Sequence, residues 1–301
     1  MTLAAPEIPI DAPAAEGSVR SSRAWTRFVR SPSAWIGAGI ALVVVLVAIF
    51  APWISPYEVT ERDSTHLPPS SRHWLGTDSH QYDVLTRTLH GTRLSILAGG
   101  LSVLLAVAIG ATAGLAAGYL GGWVDILLMR SIEILLAFPA ILIALLALVA
   151  MSPGWPAVIS AVALINVPLF ARQVRASVLS LREQEYVQAA IALGADPWYV
   201  MSRVLLPSLI SPVVVLATLG LASAILEVAG LAFLGIAGDP TAAEWGTMLS
   251  DAKDHTTSSV WPAIAPGVAI SLTILGFNLL GDGLRDALDP KLDTHGTGLP
   301  W

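Results

Sequence analysis

Long apolar runs alternate with short polar stretches along almost the whole chain. A helix needs about 20 apolar residues to cross a hydrocarbon core about 30 Å thick, so each run predicts one transmembrane helix. The interval 134–171 carries no charge but is too long for one helix, and the Ser-Pro-Gly-Trp-Pro sequence at 152–156 divides it with a tight turn. We therefore predict an all-α integral membrane protein with six transmembrane helices, at residues 34–54, 94–120, 126–150, 155–171, 207–236 and 260–280.

The composition agrees with a membrane location. Charged residues make up 13% of the 301 residues, against roughly 25% in soluble domains, and 54% are hydrophobic. The chain has no cysteine, which excludes disulfides, thiolate metal sites and a cysteine nucleophile. Its net charge of −6 argues against binding to a nucleic-acid backbone, because that requires a basic surface.

The polar stretches divide the chain into segments. Residues 1–33 lack the apolar core of a secretory signal, and we interpret them as a disordered cytoplasmic tail before an uncleaved first span at 34–54. We predict an extracytoplasmic loop at 55–93, a helical core at 94–283 with a polar loop at 172–207, and a cytoplasmic C-terminal tail at 284–301.

Basic residues predict the orientation, since cytoplasmic loops carry an excess of Lys and Arg. With six spans, the N-terminal tail, the polar loop and the C-terminal tail share one side, and together they hold Arg20, Arg23, Arg27, Arg30, Arg172, Arg175, Arg182, Arg203, Arg285 and Lys291. The loop at 55–93 carries four arginines but also five acidic residues. We therefore expect both termini and the polar loop in the cytoplasm.

Small and charged residues inside the spans suggest specific contacts. Four glycines spaced by four predict a close-packing helix face, within the chain or, less favoured, against a second subunit: Gly110, Gly114, Gly118 and Gly122. Glu133 follows Arg130 by three residues, which favours an ion pair within the helix. Glu227 has no charged neighbour within one turn, and it either lines a cavity or is neutral and bonded to backbone.

The polar loop at 172–207 contains a predicted helix–turn–helix. Residues 176–193 suit a helix that Gly194 interrupts, Asp196 and Pro197 suit the cap and first turn of a second helix, and Leu206-Pro207 is predicted to end it. Four apolar side chains on this loop would be costly in water and indicate a docking partner: Trp198, Tyr199, Val200 and Leu205.

The run EYVQAAIALGADPWYVMSRVLLP within this loop resembles the EAA loop of bacterial ABC-importer permeases. The matching positions are Tyr186, Val187, Ala189, Ala190, Gly194, Leu206 and Pro207. Gln188 stands where the family usually has Glu, and Ser208 where Asn is common. Further segments resemble the C-type subunit of dipeptide, oligopeptide and nickel permeases over about residues 35–292: HWLGTDSHQYDVLTRTLHGTRLS, GYLGGWVDILLMR, LEVAGLAFLG, EWGTML and FNLLGDGLRDALDPKL.

The resemblance implies a mechanism and partners. Such a permease pairs with a B-type permease around a translocation path, receives its ligand from an extracytoplasmic binding protein, and seats its EAA loop on one or two ATPase subunits. It implies coupling residues Glu185, Tyr186, Gln188, Ala189, Ala190, Gly194, Ala195, Asp196, Pro197, Trp198, Tyr199, Leu206 and Pro207. Glu227, Glu133 and Asn278 are the candidate residues of the path. The chain's two lysines, Lys253 and Lys291, lie in no phosphate-binding loop, so the chain is not expected to be an enzyme, and ATP and Mg belong to the ATPase.

Other interpretations explain fewer of these features. His66, His73 and His80 lie seven apart in the loop at 55–93, a spacing that does not bring metal ligands together, and we interpret them as solvated or hydrogen-bonded. A secondary active transporter would be expected to show inverted repeats, and we find none that is convincing. A membrane hydrolase would need His, Asp, Glu or Ser converging within the spans, and no His lies there. The ligand stays open among dipeptides, oligopeptides, nickel, metallophores and opines, with small peptides favoured.

Overall fold

The computed structural model describes residues 28–29, 31–237 and 239–288. Regular structure in these residues is helical apart from one isolated bridge between Thr77 and Asp83, which confirms the all-α prediction. The helices are α1 Pro32–Ile54, α2 Val84–Leu120, α3 Gly122–Ala137, α4 Ala140–Met151, α5 Trp155–Arg182, α6 Glu185–Ala192, α7 Pro197–Tyr199, α8 Leu206–Phe233, α9 Trp245–Ala252 and α10 Trp261–Leu288. Most of the predicted tails, with Arg20, Arg23, Arg27, Arg30 and Lys291, lies outside the described residues.

Six spans result when α3 and α4 are counted as one. Five helices are long and apolar enough to cross a membrane, and α3 and α4 pass the same test together, although they meet at 98°. The single helix predicted at 126–150 is therefore wrong, because the structure has two helices there. Phe138 is extended, with φ −90° and ψ 135°, as a residue before proline prefers, and Pro139 has no N–H to continue the helix.

Several predicted boundaries move. Helix α2 begins at Val84, ten residues before the predicted span, because the side chain of Asp83 accepts the N–H of Thr86 and caps it. Helix α5 continues to Arg182, and the helix is interrupted at residues 183–184 before α6 begins. The predicted helix 176–193 is therefore two helices. The eight-residue helix α9 was not predicted, because it is short and opens with a capping Glu244 rather than with a long apolar run.

Pro207 does not end a helix, contrary to the prediction. Helix α7, a π-helical segment at Val200–Leu205 and helix α8 run on as one helix, Pro197–Phe233. The N–H of Leu206 bonds to the carbonyl of Met201, five residues back. The wider π-helical turn accommodates a proline that lacks an N–H and crowds the preceding turn.

The bundle has two distinct ends. The "α6 end" contains α6, α7, the start of α1 and the end of α10, where Gly283 lies against Ala34. The "α9 end" contains residues 55–83, 152–154, 234–237 and 239–260, where the N–H of Gly154 donates to the carbonyl of Ile236. Counting α3 and α4 as one span places the described ends of the chain on the same side.

Three of the four predicted packing glycines face α5. A Cβ on Gly110, Gly114 or Gly118 would lie 2.7, 2.4 or 2.8 Å from atoms of α5, so only glycine permits this approach. Gly122 was predicted on the same face and is not there. It begins α3 with φ +54°, and no atom lies within 4 Å of its Cβ position, so it serves the turn between α2 and α3.

Candidate functional site

The turn between α6 and α7 is closed by a glycine in the left-handed region. Gly194 has φ +81°; its N–H donates to the carbonyl of Ile191 and that of Ala195 donates to Ala190, which is the Schellman arrangement at a helix C-terminus. A Cβ on Gly194 would meet nothing within 4 Å. Gly194 is therefore required by backbone conformation, and its surroundings within the chain are open.

Polar side chains hold the elements on either side of this turn. The side chain of Asp196 accepts the N–H of Trp198 at 2.9 Å, and Pro197 follows it as the first residue of α7. The amide of Gln188 donates to the carbonyl of Arg182 at 2.6 Å, which satisfies an otherwise unpaired carbonyl at the end of α5. The hydroxyls of Tyr186 and Ser208 lie 3.3 Å apart. Both positions that depart from the family pattern, Gln188 and Ser208, thus take part in hydrogen bonds.

One face of this helix–turn–helix is anchored in the bundle. Val187, Val200 and Leu205 are fully buried and pack with Leu209 and with side chains of α5. Val200 and Leu205 were predicted from the sequence to be exposed with Trp198 and Tyr199, and this is wrong, because the continuation of α7 into α8 turns them towards α5. Ala195 is partly buried against the same cluster.

The opposite face is apolar and open. Leu193 is 89% exposed and Trp198 72% exposed, and Tyr199, Tyr186 and Ile191 are also exposed. The remaining predicted coupling residues on this loop, apart from the half-buried Ala190, are exposed as well: Glu185, Gln188, Ala189, Gly194, Asp196, Pro197, Leu206 and Pro207. A cluster of large apolar side chains at a polar loop is costly in water, so this face is suited to a protein partner. We call Ile191, Leu193, Trp198 and Tyr199 the tip.

Two arginines join this loop to the transmembrane helices. Arg175 binds the carboxylate of Asp125 through two hydrogen bonds of 2.6 Å, which ties α5 to α3. Arg182 donates to the carbonyls of Tyr119 at 3.1 Å and Gly118 at 3.4 Å, at the end of α2. Asp125 was not singled out from the sequence, since its partner lies 50 residues away.

The three candidate path residues are not brought together. Glu133 pairs with Arg130 at 2.7 Å within α3, and Asn278 is exposed on α10. Half-buried Glu227 on α8 accepts a hydrogen bond of 2.6 Å from Asn166 of α5, so it is bonded to a side chain and not to backbone. Asn166 was missed because no spacing rule links residues on two different spans.

The α9 end is held by buried polar groups. Arg87 forms an ion pair with Asp78, and its guanidinium also donates to the carbonyls of Thr241 and Ala242 at 3.0 and 2.9 Å. Glu244 is fully buried, accepts from Ser95 at 3.0 Å, and burial raises the pKa of its carboxyl. Through Arg87, residues 55–83 are joined to residues 239–260 as one cap, and the bond between Glu244 and Ser95 fastens this cap to α2.

The three histidines of the loop at 55–93 make separate contacts. His73 is buried between Asp83 at 2.9 Å and Asp63 at 3.2 Å, and its hydrogen bond holds the pKa of Asp63 below its usual value. His66 packs against the ring of His255, and His80 lies 3.4 Å from Asp251. His80, Asp251 and Asp78 could surround an ion, but the carboxylate of Asp78 is already neutralised by Arg87. The histidines therefore act as hydrogen-bonding and packing residues of the cap.

Known proteins are similar to this chain over most of its length. Residues 110–294 match the family described as "Binding-protein-dependent transport system inner membrane component", and residues 20–69 match the "N-terminal TM domain of oligopeptide transport permease C". The chain is 42% identical over 271 residues to the dipeptide transport system permease protein DppC of Alkalihalophilus pseudofirmus, with 89% of each chain covered. It is 42% identical to the glutathione transport system permease protein GsiD of Pectobacterium atrosepticum, over 89% of this chain and 90% of that protein.

Proposed function

Because this chain belongs to the inner membrane components of binding-protein-dependent transport systems, in the oligopeptide permease C group, we propose that it forms half of a translocation path for small peptides. It is a multi-pass permease subunit of an ABC importer, and such a subunit binds no cofactor and catalyses no reaction itself. The system to which it belongs includes an ATPase, a paired permease and a binding protein.

The tip supplies the contact with the ATPase in this proposal. The single observation that carries it is the open apolar face of Leu193 and Trp198 on a helix–turn–helix whose other face is anchored to α5. A displacement of the tip is transmitted to the transmembrane helices through the packing of Val187, Val200 and Leu205 against α5. Arg175 and Arg182 bond α5 to α3 and α2, so these helices move with it. Residues 185–207 are thus the coupling element, and the contact centres on the segment from Gly194 to Tyr199, between and within the residues of the tip.

The α6 end faces the cytoplasm in this proposal, and the α9 end faces outward. The excess of Lys and Arg on the tails and the polar loop supports this orientation. Both termini are then cytoplasmic, and residues 55–83 with 234–237 and 239–260 form the surface that receives the binding protein. The predicted loop boundary at 93 moves to 83, because α2 starts at Val84.

The proposed cargo is based on the names of the two relatives. The names of the two relatives specify dipeptide and glutathione transport, which supports small peptides as the cargo rather than nickel. We propose a heterodimer with a B-type permease, and one or two ATPase chains beneath it. Glu227 and Asn278 are the proposed path residues, while Glu133 is accounted for by its pair with Arg130.

Reconstitution of the complete transporter in vesicles tests this function. ATP inside the vesicles and loaded binding protein outside should drive uptake of labelled L-alanyl-L-alanine, and a proton gradient alone should drive none. Uptake on a proton gradient by this chain without an ATPase would contradict the proposal and favour a secondary transporter. Uptake of radioactive nickel but not of peptide would contradict the assigned cargo.

A further inference from the structure

Glu227 is the acidic side chain of α8, and it lies inside a span without a charged partner among the described residues. It lies six residues before the end of α8, about 9 Å along the helix axis from the α9 end. Its one described hydrogen-bond partner is Asn166, which bonds to one of the two carboxylate oxygens. Ionisable residues within spans almost always face the bundle interior or a water-filled cavity, because exposure to lipid is expensive.

The surroundings of Glu227 leave room for a ligand. Ser223 and Gly230 lie four residues before and three residues after it, on the same helix face, and both are exposed. A Cβ on Gly230 would meet nothing within 4 Å. Two small residues thus flank the carboxylate, and one side of it is open to whatever lies against this face of α8.

Asn166 fixes the position of the carboxylate. The same amide nitrogen that donates to Glu227 also donates to the carbonyl of Val162 at 2.9 Å, and Asn166 is buried. Both N–H bonds of Asn166 are used, so this amide offers a ligand no donor. Two oxygens are left for a ligand, Glu227 Oε1 and the side-chain amide oxygen Oδ1 of Asn166, and both are acceptors.

We propose that Glu227, positioned by Asn166, binds the ammonium group of a small peptide during its passage through the membrane. This rests on the proposed function, since it assumes peptide cargo and places this face of α8 on the path. A carboxylate paired with amide oxygen suits an ammonium group, which has three N–H donors and no acceptor. The carboxylate end of the same peptide is repelled from Glu227, so the site also sets the orientation of the cargo.

The test uses the complete transporter in vesicles, with labelled L-alanyl-L-alanine on its binding protein. Glu227→Gln keeps an acceptor for Asn166 and removes the charge, so packing between α5 and α8 is retained. We expect uptake to fall about tenfold or more, the scale of a lost hydrogen bond to a charged group, while ATP hydrolysis stimulated by the binding protein continues. Glu227→Asp should keep more uptake than Glu227→Gln, and Asp286→Asn, the corresponding acid-to-amide change on the exposed end of α10, should have no effect.

Two results would overturn the assignment. One is wild-type uptake by Glu227→Gln. The other is a loss of binding-protein-stimulated ATP hydrolysis in Glu227→Gln as large as its loss of uptake, which would place the defect in coupling and not in cargo binding. Failure of the proposed function is distinguishable, because the wild-type transporter would then show no ATP-driven peptide uptake at all.

Discussion

Substitutions at Gly194 separate backbone strain from contact with a partner. A residue with a Cβ at φ +81° costs roughly 1–2 kcal/mol, and Asn tolerates this region better than other residues. No described atom of the chain lies within 4 Å of the Cβ position, so a side chain added here leaves the backbone without an immediate clash within the described permease. Strain of this size in one exposed turn is small against a domain stability of about 5–15 kcal/mol.

If the tip is seated on the ATPase, bulk at this position should matter far more than strain. We expect Gly194→Asn to keep most ATP-driven uptake, Gly194→Ala to show a modest loss, and Gly194→Trp to lose uptake almost completely. The measurement is peptide uptake in vesicles, with the amount of assembled complex and its melting temperature as controls. Full uptake by Gly194→Trp would refute the coupling role, and an equal loss in Gly194→Asn would show that bulk against a partner is not the cause.

Three further predictions concern the bundle and its cap. Arg87→Met leaves the carboxylate of Asp78 buried and unpaired, so the free energy of unfolding of the purified permease should fall by about 3–5 kcal/mol and its melting temperature should drop. Adding Asp78→Asn should recover part of this loss. An unchanged melting temperature would contradict the role of the pair. Gly114→Ala should destabilise the permease, because the new Cβ would lie 2.4 Å from the carbonyl oxygen of Ala171. Gly100→Ala, in open space on the same helix, should leave the free energy of unfolding unchanged or raise it by about 0.5–1 kcal/mol. Equal melting temperatures of the two variants would refute the close packing. Since the folded-state pKa of Asp63 is lowered, its stabilisation of the loop at 55–83 is present above the unfolded pKa and is lost as the pH falls through the folded pKa. The hydrogen-exchange protection factors of this loop, which correct for the intrinsic pH dependence of exchange, should therefore fall in acid for the wild type and not for Asp63→Asn.

The sequence was most informative where structure depends on near neighbours. Hydrophobic runs located five of the spans, and the Asp196-Pro197 pair correctly predicted the start of α7, because a cap and its helix are adjacent in sequence. The turn at Gly194 was predicted for the same reason, since a glycine between two helical runs favours a positive φ.

What the sequence did not predict depends on contacts between distant residues or on competition between neighbouring signals. The ion pair of Asp125 with Arg175 and the hydrogen bond of Asn166 to Glu227 join residues 50 and 61 apart. Pro139 breaks the third span and Pro207 does not break the fifth, because a π-helical segment precedes only the second of these prolines. Periodicity and residue type alone could not distinguish the two.

Cross-linking at the tip tests the central claim most directly. The chain has no cysteine, so Trp198→Cys introduces its single thiol on the exposed tip, and Trp74→Cys, 67% exposed on the loop at the α9 end, is the matched control. In the assembled transporter, a short thiol-reactive cross-linker should join position 198 to the ATPase, and position 74 should react only with reagent supplied from outside the cell. A thiol at position 198 that reacts from outside, or that never joins the ATPase in an active complex, would contradict the account.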